Sequence, residues 1–163
     1  MKKLALTDFA KYRYPSALEL SPDGRYLTFA LKDVDREGDG YRWNLWLYDL
    51  ERRESRQITR GDDQRKAVWE DNTHILYKTT EPDEALRARG FEEEWTVYHR
   101  LNVCTGEDRE AFRLPMSVSG LWKMDEGRYV FTGETHLDRP NLLELTGEAL
   151  EKELVRRQQT RGY

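Results

Sequence analysis

One cadence occurs three times along the chain and limits what it can become. Residues 21–30 read SPDGRYLTFA, a Ser-Pro-Asp-Gly turn running into a stretch of β-type residues. The turn residues are those that hold tight reversals, and the apolar and β-branched residues after them favour extended backbone. The same order returns as WEDNTHILYKT at 69–79 and as WKMDEGRYVFTGE at 122–134. Aligning Phe29, Tyr77 and Phe131 gives spacings of 48 and 54 residues.

A second strand follows each time. NLWLYD at 44–49 is echoed by 96–102 and by NLLEL at 141–145. A polar turn and a further short strand follow the first two, at 51–59 and 103–114. Alternation places Leu27, Phe29 and Leu31 on one face of the first strand, and Tyr26, Thr28 and Ala30 on the other. In the next strand Leu45 and Leu47 oppose Trp46 and Tyr48. Neither face is cleanly polar, so each sheet needs cover on both sides. The chain has little helix to supply it, so other sheets must. A period near 50 with about four strands per unit is the pattern of propeller blades, each of which buries its faces on its neighbours.

The expected fold is therefore all-β, a partial β-propeller of about two to three four-stranded blades in an incomplete ring. It carries a short N-terminal helix and two short helical excursions. Thr7 caps the first helix, which runs to about Lys11 and ends before Pro15. Residues 81–90 begin with Pro and acids and end with Arg and Gly; residues 146–158 place acids early and bases late. Leu150 and Leu154 give the last helix only a narrow apolar stripe, so it is expected to find little to pack on. The divisions are 1–15 for the N-terminal helix, 16–60 for blade 1, 61–114 for blade 2, and 115–163 for an incomplete blade 3 ending in the helix. An open arc exposes apolar faces and strand edges. The chain is thus expected to be a piece of something larger, or to associate through its open blade edges.

Composition excludes several classes. A net charge of −4 and a pI near 5.5 argue against nucleic acid as a partner. Cys104 is the single cysteine, so no intrachain disulfide forms, and a reducing compartment suits the chain. The N-terminal apolar run, Leu4-Ala5-Leu6, is shorter than the roughly 7–15 residues of an export signal. No segment reaches the roughly 18 apolar residues of a membrane helix. A cytoplasmic location with no membrane contact is the expectation.

Four stretches resemble the prolyl oligopeptidase family of serine peptidases, on its acylaminoacyl-peptidase and dipeptidyl-peptidase side. DFAKYRYPSALELSPDGRYLTFAL at 8–31 is similar to that family's opening helix and first propeller strand. NLWLYDLERRESRQIT at 44–59, EEEWTVYHRLNVCTGE at 92–107 and THLDRPNLLEL at 135–145 are similar to later propeller strands. The resemblance implies a propeller that caps an α/β-hydrolase domain bearing a Ser-Asp-His triad, and that admits short peptides as substrates. No G-x-S-x-G elbow occurs here; Met116-Ser117-Val118-Ser119-Gly120 lacks its first Gly. The parent would be a hydrolase, with this chain as gate and scaffold, inactive alone and in need of the missing blades and the hydrolase domain. The alternative is a stand-alone, TolB/WD-type interaction module without enzymatic activity.

No residue is assigned as catalytic, and no metal or cofactor is expected. Glu92 and Glu93 are the candidates for substrate binding, since Glu92-Glu93-Glu94 is similar to the paired glutamates that hold a substrate's amino group in dipeptidyl peptidases. Alternation into the strand at Trp95 would point consecutive glutamates to opposite sides, which reads as a charged strand entrance. Asp33, Asp35, Glu37 and Gly38 partly fit a calcium loop, but Asn44 stands at the twelfth position where Glu is needed, so a solvated hairpin is expected. His74, His99 and His136 form no i, i+4 pair for a metal. Cys104 precedes a Thr-Gly turn and reads as structural. Trp43, Trp46, Trp69, Trp95 and Trp122 recur near matching blade positions and are expected to pack blade on blade.

Overall fold

A computed structural model describes residues 8, 11–35, 40–135 and 138–160. The N-terminal helix falls almost wholly outside the described residues, which retain only Asp8 and Lys11 of it, paired at 2.6 Å. Glu37 and Gly38 of the acidic loop, and His136, also lie outside them.

About half of the described residues are strand, as the turn-and-strand cadence requires. The strands are β1 (Tyr14–Leu20), β2 (Tyr26–Asp35), β3 (Gly40–Asp49), β4 (Glu54–Gln57), β5 (Ala67–Trp69) and β6 (His74–Pro82). After helix α1 (Glu84–Arg87) come β7 (Glu94–Asn102), β8 (Asp108–Leu114), β9 (Ser117–Lys123) and β10 (Tyr129–Glu134). A 3-10 turn (Leu142–Glu144) and helix α2 (Gly147–Thr160) follow. Three sheets form, in the orders β1-β2-β3-β4, β5-β6-β7-β8 and β10-β9. No helix among the described residues is long and apolar enough to cross a membrane.

The chain divides into two compact units, one of residues 1–79 and 98–111, the other of 80–97 and 112–163. The divide falls within β6, β7 and β8.

In the first unit, β2 and β3 form an antiparallel hairpin in continuous register from Tyr26↔Asp49 to Asp35↔Gly40. The turn before it is built as the sequence writes it. The Ser21 hydroxyl donates to Asp23 at 2.6 Å and accepts from the Tyr26 amide at 2.9 Å, and Gly24 sits at φ +73, where a side chain would be strained. Register places Ala30 beside Leu45 and Thr28 beside Leu47, all on one face. All four are buried. Ala30, Leu45 and Leu47 pack with Ala67, Trp69, Ile75, Tyr77 and Leu101 of the second sheet and with Val103 just past β7. Two sheets therefore cover one another face to face. A bulge in β1 (Ala17, φ 49) turns Ala17 into the same core.

The opposite face of the first sheet is open along β1. Leu18 is 59% exposed and Leu20 is 55% exposed, while Phe29 and Trp46 are half-buried. The tryptophans do not all pack sheet on sheet as expected. Trp69 joins the core, Trp43, Trp46 and Trp95 are half-buried under nearby cations, and Trp122 is exposed. Indole is amphipathic and packs readily beneath a guanidinium as well as in a core.

In the second unit, β9 and β10 pair antiparallel, with Val118 and Leu121 buried. Residues 141–145 are not the strand that the repeat predicts. They form the 3-10 turn, because the Asn141 side chain accepts the Leu143 amide and donates to the Pro115 carbonyl. Leu142 then drops into a cluster with Leu86, Phe91 and Leu154. This cluster also supplies the partner that α2 was expected to lack: Leu154 is wholly buried, with Leu150 packed beside it. Helix α1 is capped by Asp83, whose carboxylate accepts the Leu86 amide at 3.0 Å.

Candidate functional site

The second unit contains a cavity of about 730 Å3. One wall is the approach to β7, which contributes Glu92, Glu93 and Glu94. Another is the turn into β9 and the end of β10, with Met116, Ser117, Gly133 and Glu134. The segment before α2 adds Arg139, Pro140 and Asn141, and the helix adds Arg157. Thr96 fixes the first wall to the second. Its hydroxyl donates to the Met116 carbonyl at 2.7 Å and accepts from the Val118 amide at 3.2 Å. Gly133 lies where β10 slips register against β9. A Cβ there would sit 2.9 Å from the Ser117 carbonyl, so only glycine fits without movement.

Both sequence candidates thus line one cavity, in different states. Arg157 donates to Glu93 at 3.0 Å, to Glu153 at 3.0 Å and to the Pro140 carbonyl. Its side chain is only 13% exposed, so Glu93 is held in a half-buried ion pair. Glu92 is exposed. Glu153 is pulled down to about 2, by Arg156 first and Arg157 second, while burial opposes the shift. Sequence reasoning missed Arg157, Arg139, Asn141 and Glu134. Arg157 lies 64 residues from Glu93, and no local pattern reports so distant a contact.

The other candidates are dispersed. Ser119 on β9 shares its hydroxyl with Thr132, and Ser117 lines the cavity wall. His74 contacts Asp71 at 2.9 Å and Asn102 at 3.2 Å. His99 stacks on Tyr77 beside Asp108. Among the described residues no group of three or more His, Cys, Asp or Glu is placed to hold a metal ion. Cys104 is exposed in a turn held by the Asn102 side chain, so it fills no core position. Asp33 pairs with Arg13 at 3.0 Å.

Comparison with known proteins places the fold. No protein-family model matches the chain, and no curated protein matches it. Among solved structures it is similar to the β-propeller domain of the Trilobed protease from Pyrococcus furiosus, whose propeller has an open velcro topology. The TM-score is 0.54 at 14% identity, over 76% of this chain. The chain spans about a third (34%) of that structure's length. It also matches an acylaminoacyl peptidase from Pyrococcus horikoshii over 70% of this chain and 27% of the other, at 15% identity and a TM-score of 0.41, which adds nothing to the fold assignment. The first likeness establishes a propeller-type fold.

Proposed function

We propose that this chain is the propeller segment of a serine peptidase of the prolyl oligopeptidase family. In that role it acts as gate and scaffold for the hydrolysis of short peptides by an α/β-hydrolase domain. The observation that carries the reading is the packing of Ala30, Leu45 and Leu47 against Ala67, Trp69 and Ile75, one four-stranded sheet on the next. This is how blades bury their faces. The likeness to a protease propeller and the motif resemblance at 8–31, 44–59, 92–107 and 135–145 support it. In this reading the two four-stranded sheets are successive blades, and β9 and β10 begin a third. Glu92 and the cavity around it face short substrates, while Glu93 is committed to Arg157. The partners are the remaining blades and the hydrolase domain, and the setting is cytoplasmic, in keeping with one exposed, unpaired cysteine.

The chemistry of peptide cleavage needs a serine activated by a base beside an oxyanion hole. Ser119 is bonded to Thr132 instead. The isolated chain is therefore expected to leave acyl-amino-acid and dipeptidyl substrates uncut and to resist a fluorophosphonate probe. Stoichiometric labelling of Ser117 or Ser119 would contradict this. The second reading, a stand-alone interaction module, is favoured by the exposed Trp122, Val130 and Phe131 of the last hairpin. Genomic sequence around the coding frame separates the two: a G-x-S-x-G elbow in the same frame supports the peptidase, and its absence supports the module.

A further inference from the structure

We propose that the free edge of β10 pairs with the same edge of a second copy of this chain, so that two two-stranded sheets become one of four strands in the order β9-β10-β10-β9. The third sheet has two strands where the others have four, and no strand among the described residues lies beyond β10. A two-stranded ribbon is marginal by itself, and an unguarded edge templates another strand. The other edges are guarded. Strand β1 carries Pro15 and the bulge at Ala17. Strands β4 and β5 are four and three residues long, and β4 is wholly polar. Strand β8 is lined with Asp108, Arg109, Glu110 and Arg113. On β9 the Thr96 hydroxyl takes the Val118 amide. Strand β10 has no proline, no lysine and no bulge of its own, since the extra residue of the register slip, Ser119, is on β9. Val130 and Phe131 stand 50% and 41% exposed along it.

What favours a second copy is self-complementarity about Phe131. In an antiparallel pair centred there, Phe131 lies across from its own counterpart. Val130 then faces the partner's Thr132, another β-branched residue. Tyr129 faces the partner's Gly133, where the missing side chain leaves room for the ring. One position before the strand, Arg128 faces the partner's Glu134, and symmetry repeats the pair. Both Arg128 and Glu134 are exposed. Opposite charges and apolar residues directly across from one another each stabilise a sheet. A two-fold axis closes the assembly at a dimer. A strand of six residues a side makes a small interface, so the dimer is weak and concentration-dependent. The inference concerns the 163-residue chain and does not rest on the peptidase reading, in which a later strand of the same polypeptide would compete for this edge.

The test is sedimentation equilibrium of the full 163-residue chain at about 1 and about 200 µM, a range that resolves a small interface into monomer and dimer. The proposal expects dimer to predominate at the higher concentration and to dissociate at the lower. Monomer at both, or assemblies larger than a dimer, overturns it. Val130→Lys places a cation on the edge and should abolish the dimer, while the melting temperature of the dilute chain stays unchanged because Val130 is exposed. A dimer that persists in this variant overturns the proposal. Charge reversal reads the register. Glu134→Arg should weaken the dimer at least about threefold, and adding Arg128→Glu should restore it. A double variant that stays as weak as Glu134→Arg overturns the pairing.

Discussion

The indole N–H of Trp69 donates to the main-chain carbonyl of Glu19 at 3.1 Å, so a core side chain of the second sheet satisfies a backbone acceptor on the edge strand of the first. The same ring stacks on Tyr26 at 6.5 Å, nearly parallel at 12°. Packing and hydrogen bonding thus act through one residue to hold the sheets together. Trp69→Phe removes this donor, leaves the carbonyl with the Thr28 hydroxyl at 3.2 Å, and opens a small void. We expect a loss of about 1–3 kcal/mol. Urea unfolding checks it, and a loss below about 0.5 kcal/mol would contradict the role.

Glu70 follows Trp69 and is nearly buried, at 9% exposure, with both oxygens on Arg100. Removing the cation takes the ion pair from a buried carboxylate. Arg100→Met should cost about 3 kcal/mol, near the low end for a broken buried pair because the arginine remains partly exposed. The double variant Glu70→Gln, Arg100→Met should recover part of that loss, which a double-mutant cycle measures directly.

Acid stability should depend on Asp71, in the turn before β6. Burial raises its affinity for a proton, but the main-chain N–H groups of Thr73 and His74 and their side chains outweigh burial and hold it down at about 2. A folded value below the ordinary one gives stability that is present above pH ~4 and is lost as pH falls toward ~2. Melting curves of the parent chain and of Asp71→Ala should therefore converge as pH drops from about 5 to 2. Parallel curves would contradict the assignment.

This turn also shows how much of the fold was legible. Asp71, Thr73 and His74, like Ser21, Asp23 and Gly24, form contacts within five residues, so composition alone reveals them. The hairpins followed from such turns and from alternation. Alternation could not say which face meets the second sheet. The bulge at Ala17 and the small side chains Thr28 and Ala30, rather than Leu27 and Phe29, decided that. Residues 141–145 look like a strand in isolation. They are a turn because Asn141 finds Pro115 and Leu142 finds Phe91, contacts 26 and 51 positions away. The candidate site was half legible for the same reason. Glu92 and Glu93 stand out as a run, but Arg157 does not announce its link to Glu93.

The open face of the first sheet should bind apolar dye. Leu18 and Leu20 project from β1 with more than half their surface in water. The double variant Leu18→Lys, Leu20→Lys should lower the fluorescence of bound ANS at least about twofold without reducing the melting temperature, since exposed sites contribute little to stability. Unchanged fluorescence would place the dye elsewhere.

Capture of the native polypeptide from its source cells, after labelling with a fluorophosphonate probe, tests the central claim most directly. The antibody should be raised against residues 44–59. A peptidase propeller predicts that the captured material carries the probe, on a serine outside residues 1–163 and in a polypeptide that also contains them. Captured material that folds and elutes normally but carries no probe would contradict the claim.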